Sequence, residues 1–322
     1  MDAVVLAGGY ATRLWPITKN RPKMFLPIGE TTVIDRIFSE LEAESRIESV
    51  YVSTNQRFEE AFRGHLAESS FTKPELSVEE TSEETEKLGV VGALAQLISR
   101  EGIDDDLLVI AGDNLISFGI DEFVDFFEAA SGPALAAYDV GSMDRATQYG
   151  VVELVDDRVV EFEEKPDDPA SSLVSIACYG FADADLDLFR EYLDDDNNPD
   201  EPGWFIQWLV ERTPVSAFTF DGAWFDIGTP ESYLDAVAWH LDGQSKIHPS
   251  ARVEGADIGS NVHIMRDASV TDATVTRSVI FPESEIRDCE LRRCLIDQDT
   301  RIEGIDLAGA VIGAHTTLNS SR

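Results

Sequence analysis

Between residues 8 and 23 the chain sets two adjacent glycines, an arginine and a lysine in close order: Gly8-Gly9-Tyr10-Ala11-Thr12-Arg13-Leu14-Trp15-Pro16, then Arg21-Pro22-Lys23. Glycine leaves the backbone bare, so its amides can approach a phosphate, and two cations shortly downstream can reach the same anion. Such a run could hold a di- or triphosphate. The phosphate loop of common NTPases would need Gly-Lys-Ser or Gly-Lys-Thr, and a dinucleotide fold would need G-x-G-x-x-G; neither is present. Gly8 and Gly9 alone read first as a plain tight turn after a strand, since glycine there is ordinary.

Two carboxylates stand where such a site would need them. Asp113 follows the apolar run 107–111, hence the carboxyl end of a strand, where open α/β sheets bind ligands. Asp226 closes Trp224-Phe225-Asp226. One or two carboxylates plus substrate phosphates suffice for Mg2+, which keeps several waters. The acidic run 104–106 precedes its strand, at the wrong end of the sheet, and reads as a solvated turn. Glu164 and Lys165 are adjacent, so a regular strand would point them to opposite faces; a strand end or bend before Pro166 would let both serve one pocket. The alternative for them is a surface ion pair, which contributes little. His65, His240, His248, His263 and His315 are scattered without metal-ligand spacing, and Cys178, Cys289 and Cys294 form no metal or redox spacing.

These residues need elements to hold them. From residue 1 to about 241, short β-rich runs at 3–7, 50–53, 107–111, 134–138, 151–154, 159–164 and 217–220 alternate with amphipathic segments at 33–44, 56–68, 90–99 and 121–130. That alternation predicts an α/β fold with a Rossmann-like, mostly parallel sheet covered by helices on both faces. Beyond residue 240 the period changes. Aliphatic residues recur from Ile247 through Val253, Ile258, Ile264 and onward to Leu318, always five or six apart. A helix cannot produce that period, and a flat strand would alternate by two, so coils of short strands with a turn every five or six residues are expected. The division expected is a domain over 1–243 and a repeat domain over 244–322.

Composition bounds the rest. Hydrophobic residues make up 43% of the chain, enough for a core, yet no apolar run approaches the ~18 residues of a membrane span. The start, Met1-Asp2-Ala3-Val4-Val5-Leu6-Ala7, lacks a basic segment before its apolar stretch and reads as a first strand, not a signal peptide. With three cysteines and no leader expected, the cytoplasm is the expected compartment. Acidic residues number 62 against 25 basic ones, a formal net charge of -37, spread through apolar-periodic segments and not gathered in a tail. Self-repulsion on that scale is screened only at high salt, where the Debye length falls to about 3 Å at 1 M, so a halophilic source is expected and binding to a nucleic-acid polymer is not.

The string GGxxTRLxP at Gly8 to Pro16, with Pro22-Lys23 behind it, resembles the opening motif of the sugar-1-phosphate nucleotidyltransferases, notably glucose-1-phosphate thymidylyl- and uridylyltransferases and their mannose-1-phosphate guanylyl relatives. Further family-like strings follow in order: Leu88-Gly89-Val90-Val91-Gly92-Ala93-Leu94, Ala111-Gly112-Asp113-Asn114, Tyr149-Gly150-Val151-Val152, Glu163-Glu164-Lys165-Pro166 and Trp224-Phe225-Asp226-Ile227-Gly228-Thr229-Pro230. The tail resembles the hexapeptide-repeat left-handed β-helix that some members append. The resemblance implies Arg13, Lys23 and Asp113 as catalytic, Leu6, Ala7, Gly8, Gly9 and Gly89 as nucleotide-binding, and Tyr149, Gly150, Glu164, Lys165 and Tyr179 as sugar-binding. It implies Mg2+ on Asp113 and Asp226, an NTP and a sugar 1-phosphate as partners, and a homo-oligomer. dTTP or UTP with glucose 1-phosphate is the favoured pairing. The segment 79–86 does not follow the thymidylyltransferase pattern, and the Leu-Gly-x-x-Gly-Ala-Leu string is also similar to guanylyltransferases, so a purine stays open. Three rivals remain beside this reading: a non-catalytic nucleotide-sugar-sensing subunit, a glycosyltransferase, which would want Asp-x-Asp where Gly112-Asp113-Asn114 stands, and a second, acetyltransferase activity in the tail.

Overall fold

The computed structural model describes residues 1–79 and 88–320; most of the segment 79–86 therefore lies outside the described residues. Contacts divide the chain into two compact units, Met1–Gly9 with Arg36–Trp224, and Tyr10–Asp35 with Phe225–Arg322.

The first unit is built on one nine-stranded sheet. Its strands in chain order are β1 (Asp2–Leu6), β2 (Ser49–Asn55), β3 (Pro74–Glu79), β4 (Leu107–Ala111), β5 (Ala134–Asp139), β6 (Gly150–Val155), β7 (Arg158–Glu164), β8 (Leu173–Phe181) and β9 (Ser216–Thr219). They run across the sheet as β3-β2-β1-β4-β8-β5-β9-β7-β6. The half from β3 to β4 is parallel, Asp2 facing Ser49 on one side and Leu107 on the other. The half beyond is mixed: β8 is antiparallel to β4 and β5, and β7 to β9 and β6. The mostly parallel sheet expected from sequence is thus corrected to a mixed one. The physical reason lies at Asp156 and Asp157, a two-residue link between β6 and β7 that only an antiparallel hairpin can close. The run Leu107–Ala111 is apolar along its whole length because both sheet faces are covered there.

Helices α1 (Val33–Ala43), α2 (Glu59–Glu68), α3 (Val90–Glu101) and α4 (Ile120–Ala129) fall where the amphipathic pattern places them. Later helices, over Asp187–Asp194 and Pro202–Val210, and the nine-residue β8 carried no clear sequence signal. The helix over Asp187–Asp194 brings Phe189 and Tyr192 onto Phe205 of the next, ring centroids 4.4 and 5.3 Å away. The core under these helices joins Val4 and Val109 to Leu135, Ala217, Phe181 and Phe205.

In the second unit the tail forms three stacks of short parallel strands. In one stack Arg252 faces Ser269, which faces Glu285, then Arg301, then Thr317, so each coil takes 17 or 16 residues. The five-or-six period has a backbone cause. Asn261, Asp267, Asp272, Arg277, Glu283, Asp288, Arg293, Asp299, Gly304, Gly309 and His315 all hold positive φ, one at each corner. The aliphatic residue that leads each corner, Ile264 to Ile302, is buried, whereas Ile247 at the open end is 41% exposed because no rung covers it.

The division expected at 243/244 differs from the compact units, which place 10–35 and 225–243 with the coils. Arg21 reaches Asp297 at 2.5 Å, and Arg293 reaches Glu231 at 2.5 Å on the helix Pro230–Leu241, where Arg277 also pairs with Asp235. Side-chain ties between segments distant in sequence are what a change of period cannot reveal.

Among the described residues, no helix is long and apolar enough to cross a membrane. A chain carrying -37 should gain stability as salt screens it: raising KCl from 0.1 M to 2 M is expected to lift Tm by more than about 10 °C, since the Debye length shrinks severalfold over that range. Calorimetry at the two concentrations checks this, and a flat or falling Tm would contradict it.

Candidate active site

Strand β1 delivers Leu6 and Ala7 to the glycine pair, and the neighbouring strands hold that exit in place. Leu6 carbonyl accepts from the Gly112 amide at 2.9 Å, and the Ala7 amide donates to Ser53 carbonyl at 2.7 Å. The last two residues of β2 complete the fixing: Thr54 Oγ1 donates to Ala7 carbonyl at 3.2 Å, and Asn55 Nδ2 to Gly8 carbonyl at 2.8 Å. Thr54 and Asn55 are fully buried, so these bonds are shielded from water and hold the turn rigidly. Sequence reading missed both, although a polar Thr-Asn pair closing an apolar strand is a visible signal. Glu79 Oε1 accepts from Ser53 and lies 3.5 Å from the point where a Cβ on Gly8 would stand.

Asp113 is half-buried two residues past β4, at the carboxyl end of the sheet as expected, with its predecessor Gly112 tied to Leu6. Beside it Asn114 is buried, and its Nδ2 has no hydrogen-bond partner among the described residues. The acidic run 104–106 is indeed structural: Asp105 pairs with the chain amino terminus at 2.5 Å, and Asp106 accepts from the Asp183 amide at 3.0 Å.

The sugar-side residues collect at the end of β7. Glu164 is the last residue of that strand and faces Gly150 in register. Lys165 then takes φ 50, a left-handed bend, so both side chains serve one side of the sheet end. Lys165 Nζ pairs with Glu201 and stands 4.0 Å from Glu164. The Glu164 amide donates to Gln207 Oε1 at 2.9 Å, and the Lys165 amide to Tyr149 carbonyl at 3.1 Å. Two glycines make room for the carboxylate: a Cβ would come within 1.7 Å of Glu164 Oε2 from Gly203 and 2.8 Å from Gly150. Tyr149 packs edge-on against Trp224 at 5.0 Å, and Trp224 Nε1 is buried with no hydrogen-bond partner among the described residues. Glu201, Gly203, Gln207 and Trp224 carried no sequence signal for this role, because they lie far along the chain and arrive only with the helix Pro202–Val210 and the strand Trp224–Asp226.

Burial pushes the Glu164 carboxyl up to about 7, and the neighbouring Glu201 carboxylate adds to the rise while Lys165 opposes it. A raised folded value means that the folded protein holds a proton the unfolded chain releases at 4.5, so stability falls as pH rises from about 4.5 to about 7. Glu164→Gln is therefore expected to be more stable than the parent at pH 8, by on the order of 2 kcal/mol, with the two converging below about pH 4.5. Parallel denaturant titrations across that range check the sign; a gap that widens towards low pH would refute it.

Two of the expected site residues also have structural roles. Tyr179 is 4% exposed, its ring 6.2 Å from Phe181 and its hydroxyl on Ser175, so it also packs the core. Gly89 holds φ 76, and a Cβ there would meet Pro199 carbonyl at 2.2 Å. The amides of Val90 and Val91 behind it donate to Asp200 and Pro199 carbonyls, which cap α3. Gly89 thus serves helix entry.

In the second unit Ala11 takes a left-handed φ of 49, and Arg13 follows, exposed, in the 3₁₀ turn Thr12–Leu14. Lys23 opens a second such turn, Lys23–Phe25. Asp226 closes its strand, and the Gly228 amide behind it is fixed by Asp226 carbonyl at 2.9 Å and Ser232 Oγ at 3.2 Å. Arg13 Nη2 and both Asp226 carboxylate oxygens lie 3.5 Å from the point where a Cβ on Gly228 would stand. A cation and a carboxylate therefore flank one bare stretch of backbone. Among the described residues no group of three or more His, Cys, Asp or Glu could hold a metal on its own. Half-buried Asp113 and Asp226 are hard oxygen donors of the kind Mg2+ takes one or two at a time, the rest coming from water and phosphate, so the donor chemistry fits that ion.

The chain is similar to several known proteins. A putative mannose-1-phosphate guanyltransferase of Sulfolobus acidocaldarius is 28% identical over 240 residues, 73% of this chain and 61% of that one. The bifunctional protein GlmU of Methanocaldococcus jannaschii is 27% identical over 75% of this chain and 55% of its own. The chain thus spans little more than half the length of these two relatives. Mannose-1-phosphate guanylyltransferase 1 of Arabidopsis thaliana matches almost throughout, 26% identical over 99% of this chain and 87% of that protein. A crystal structure of a putative glucose-1-phosphate thymidylyltransferase from Bacillus anthracis, in complex with a sucrose, superposes with TM-score 0.65 at 25% identity, covering 75% of this chain and 96% of that one. The profile of the family described as nucleotidyl transferase matches residues 2–242, three quarters of the chain, and the protein belongs to that family.

Proposed function

We propose that the protein transfers a nucleotidyl group from an NTP to a sugar 1-phosphate with Mg2+, giving a nucleotide sugar and pyrophosphate. What carries this reading is the path from β1 into a pinned glycine turn and, four residues later, Arg13, whose guanidinium shares the Gly228 backbone with the Asp226 carboxylate. In it, a phosphate oxygen of the sugar 1-phosphate attacks the α-phosphorus in line and pyrophosphate leaves, with no protein nucleophile. Such chemistry is accelerated by positioning and by neutralising developing charge. Arg13 screens the departing pyrophosphate, Lys23 steadies the phosphates around the α-position, Gly8 and Gly9 let the backbone approach them, and Leu6 and Ala7 support the base. Glu164 holds sugar hydroxyls, Lys165 meets the sugar phosphate, and Tyr149 and Gly150 line that end. Asp113 and Asp226 would hold Mg2+, which when bound supplies charge neutralisation on the phosphate oxygens.

The pairing of dTTP or UTP with glucose 1-phosphate is supported by the opening motif and by the Bacillus anthracis likeness. A second reading, GTP with mannose 1-phosphate, is favoured by the Arabidopsis relative, since that match runs through the tail as well. We read the coils as a left-handed β-helix of a homo-oligomer, and the source as a halophile with a salt-rich cytoplasm. The charge of -37 supports that source, as does a nucleotidyltransferase of Haloferax volcanii, Agl11, 27% identical over 83% of this chain and 74% of its own. Pyrophosphate release is measured with each of dTTP, UTP, GTP, ATP and CTP against glucose 1-phosphate and mannose 1-phosphate, in molar KCl with Mg2+. Release with one pairing dominant establishes the activity and its substrates. Silence across the panel, with NTP binding retained, would replace it with the sensing-subunit reading.

A further inference from the structure

The helix Pro202–Val210 is headed by a side chain that does not serve it. Glu201 stands at the N-cap with Pro202 in the first turn behind it, yet the Glu201 carboxylate makes no capping bond to the helix. It turns instead to Lys165 Nζ, the cation presented by the left-handed bend after β7. The two side chains are 40% and 43% exposed, so as an ion pair alone they contribute little to stability.

A third group sets this pair apart. The Glu164 carboxyl, 6% exposed, lies within hydrogen-bonding reach of the Glu201 carboxylate and 4.0 Å from the same ammonium. Gly203 allows that approach, since a Cβ there would stand 1.7 Å from Glu164 Oε2. One turn along, Gln207 accepts from the Glu164 amide and so fixes the end of β7 against the helix that Glu201 heads. Two carboxylates beside one ammonium leave a net negative charge, whereas one proton between the carboxyls leaves none. Burial first, and then Glu201, push Glu164 up to about 7, a value that belongs to the pair. From β6 and from the helix, Gly150 and Gln207 face Glu164 without charge. The Tyr179 phenol of β8, which also feels Glu164, is pushed up by burial and stays neutral.

We propose that Glu201 is a positioning residue of the sugar end: in the empty subsite its carboxylate holds Lys165 and shares one proton with Glu164, and Lys165 passes to the phosphate when the sugar 1-phosphate enters. Where the pair has lost its proton, binding takes one up from the medium, because a phosphate dianion beside two carboxylates favours the protonated pair. This rests on the reading of Glu164 as the sugar-hydroxyl contact and Lys165 as the phosphate contact. Sugar 1-phosphate is already a dianion above its second ionisation at about 6, so from pH 7 to 9 the proton count reports the protein.

The KM for sugar 1-phosphate is therefore expected to rise at least ~5-fold between about pH 7 and 9 in molar KCl, while the KM for NTP changes less than ~2-fold. Glu201→Gln keeps the size and an oxygen for Lys165 but holds no proton, and it is expected to flatten that rise to less than ~2-fold. An equal rise in Glu201→Gln, or a flat profile in the parent, overturns the inference and leaves nucleotidyl transfer standing. A purely structural Glu201 would lower Tm and kcat in Glu201→Gln with the slope of the profile kept, which overturns it too. Carboxyl carbon-13 NMR of the unliganded full chain reads the pair without substrate. One resonance titrating at about 7 is expected, absent in Glu164→Gln and moved down by at least ~1 pH unit in Glu201→Gln. Its absence from the parent overturns the shared proton. Silence across the substrate panel with that resonance present fails the proposed function, and the proton-linked uptake with it, while the pair itself stands.

Discussion

Arg13→Ala is expected to lower turnover at least ~100-fold while Tm stays within a few degrees of the parent, the order of loss seen on removing one key electrostatic stabiliser. Arg13 is exposed in a short 3₁₀ turn, so the substitution leaves the core unchanged. What it removes is the cation 3.5 Å from the Gly228 backbone point that Asp226 also approaches. Without it the departing pyrophosphate loses a fixed counter-charge at the moment its own charge grows, and water reorganises too slowly to replace it. Arg13→Lys should recover part of the rate, because it restores a charge but not the planar fork that grips two oxygens. Asp113→Asn is expected to lose activity on the same scale. Pyrophosphate release and a thermal melt on the same preparations check all three. Near-normal turnover in Arg13→Ala, with folding intact, would remove Arg13 from the mechanism.

Gly89→Ala is expected to destabilise the protein by about 3 kcal/mol or more, and to do so through helix α3 and not through NTP affinity. A φ of 76 is strained for any residue with a side chain, on the order of 1–2 kcal/mol. The added Cβ would also lie 2.2 Å from Pro199 carbonyl and 2.8 Å from the Asp200 amide, which are backbone atoms and cannot rotate away. The loop 199–200 must move, and it is the same loop that caps Val90 and Val91. Glu201, the partner of Lys165, follows directly, so the KM for sugar 1-phosphate should rise more than that for NTP. Denaturant melts with separate KM determinations decide this. A stable variant with impaired NTP binding alone would return Gly89 to the nucleotide site.

Several features were legible in the residues themselves because their physics is local. The five-or-six period announced the coils, since each corner needs one residue at positive φ and each face one inward aliphatic side chain. The strand-ending positions of the glycine pair and Asp113 followed from apolar runs that must be buried on both sides. The bend needed to bring Glu164 and Lys165 to one side was foreseeable from Pro166, and φ 50 at Lys165 supplies it. The close approach of Pro199 to Gly89 was not legible, because a glycine required by a distant carbonyl looks, in sequence, like one required by a ligand. The burial of Tyr179 was not legible either, because an aromatic near a strand end is equally at home in a core.

The sequence by itself determined most of the strands, the first four helices and the period of the coils, and it placed Gly8, Gly9 and Asp113 just past strand ends. Only the tertiary structure decided what surrounds them. Thr54 and Asn55 pin the glycine turn, Gly203 and Gly150 open room for Glu164, and Arg21 is held between Phe281 and Asp297, pairs separated by tens to hundreds of residues. Periodicity reports the face a residue turns towards the core, an average over one element. A contact between elements depends on how whole layers pack, where a single oxygen, 1.7 Å from a would-be Cβ, decides which residue can stand opposite.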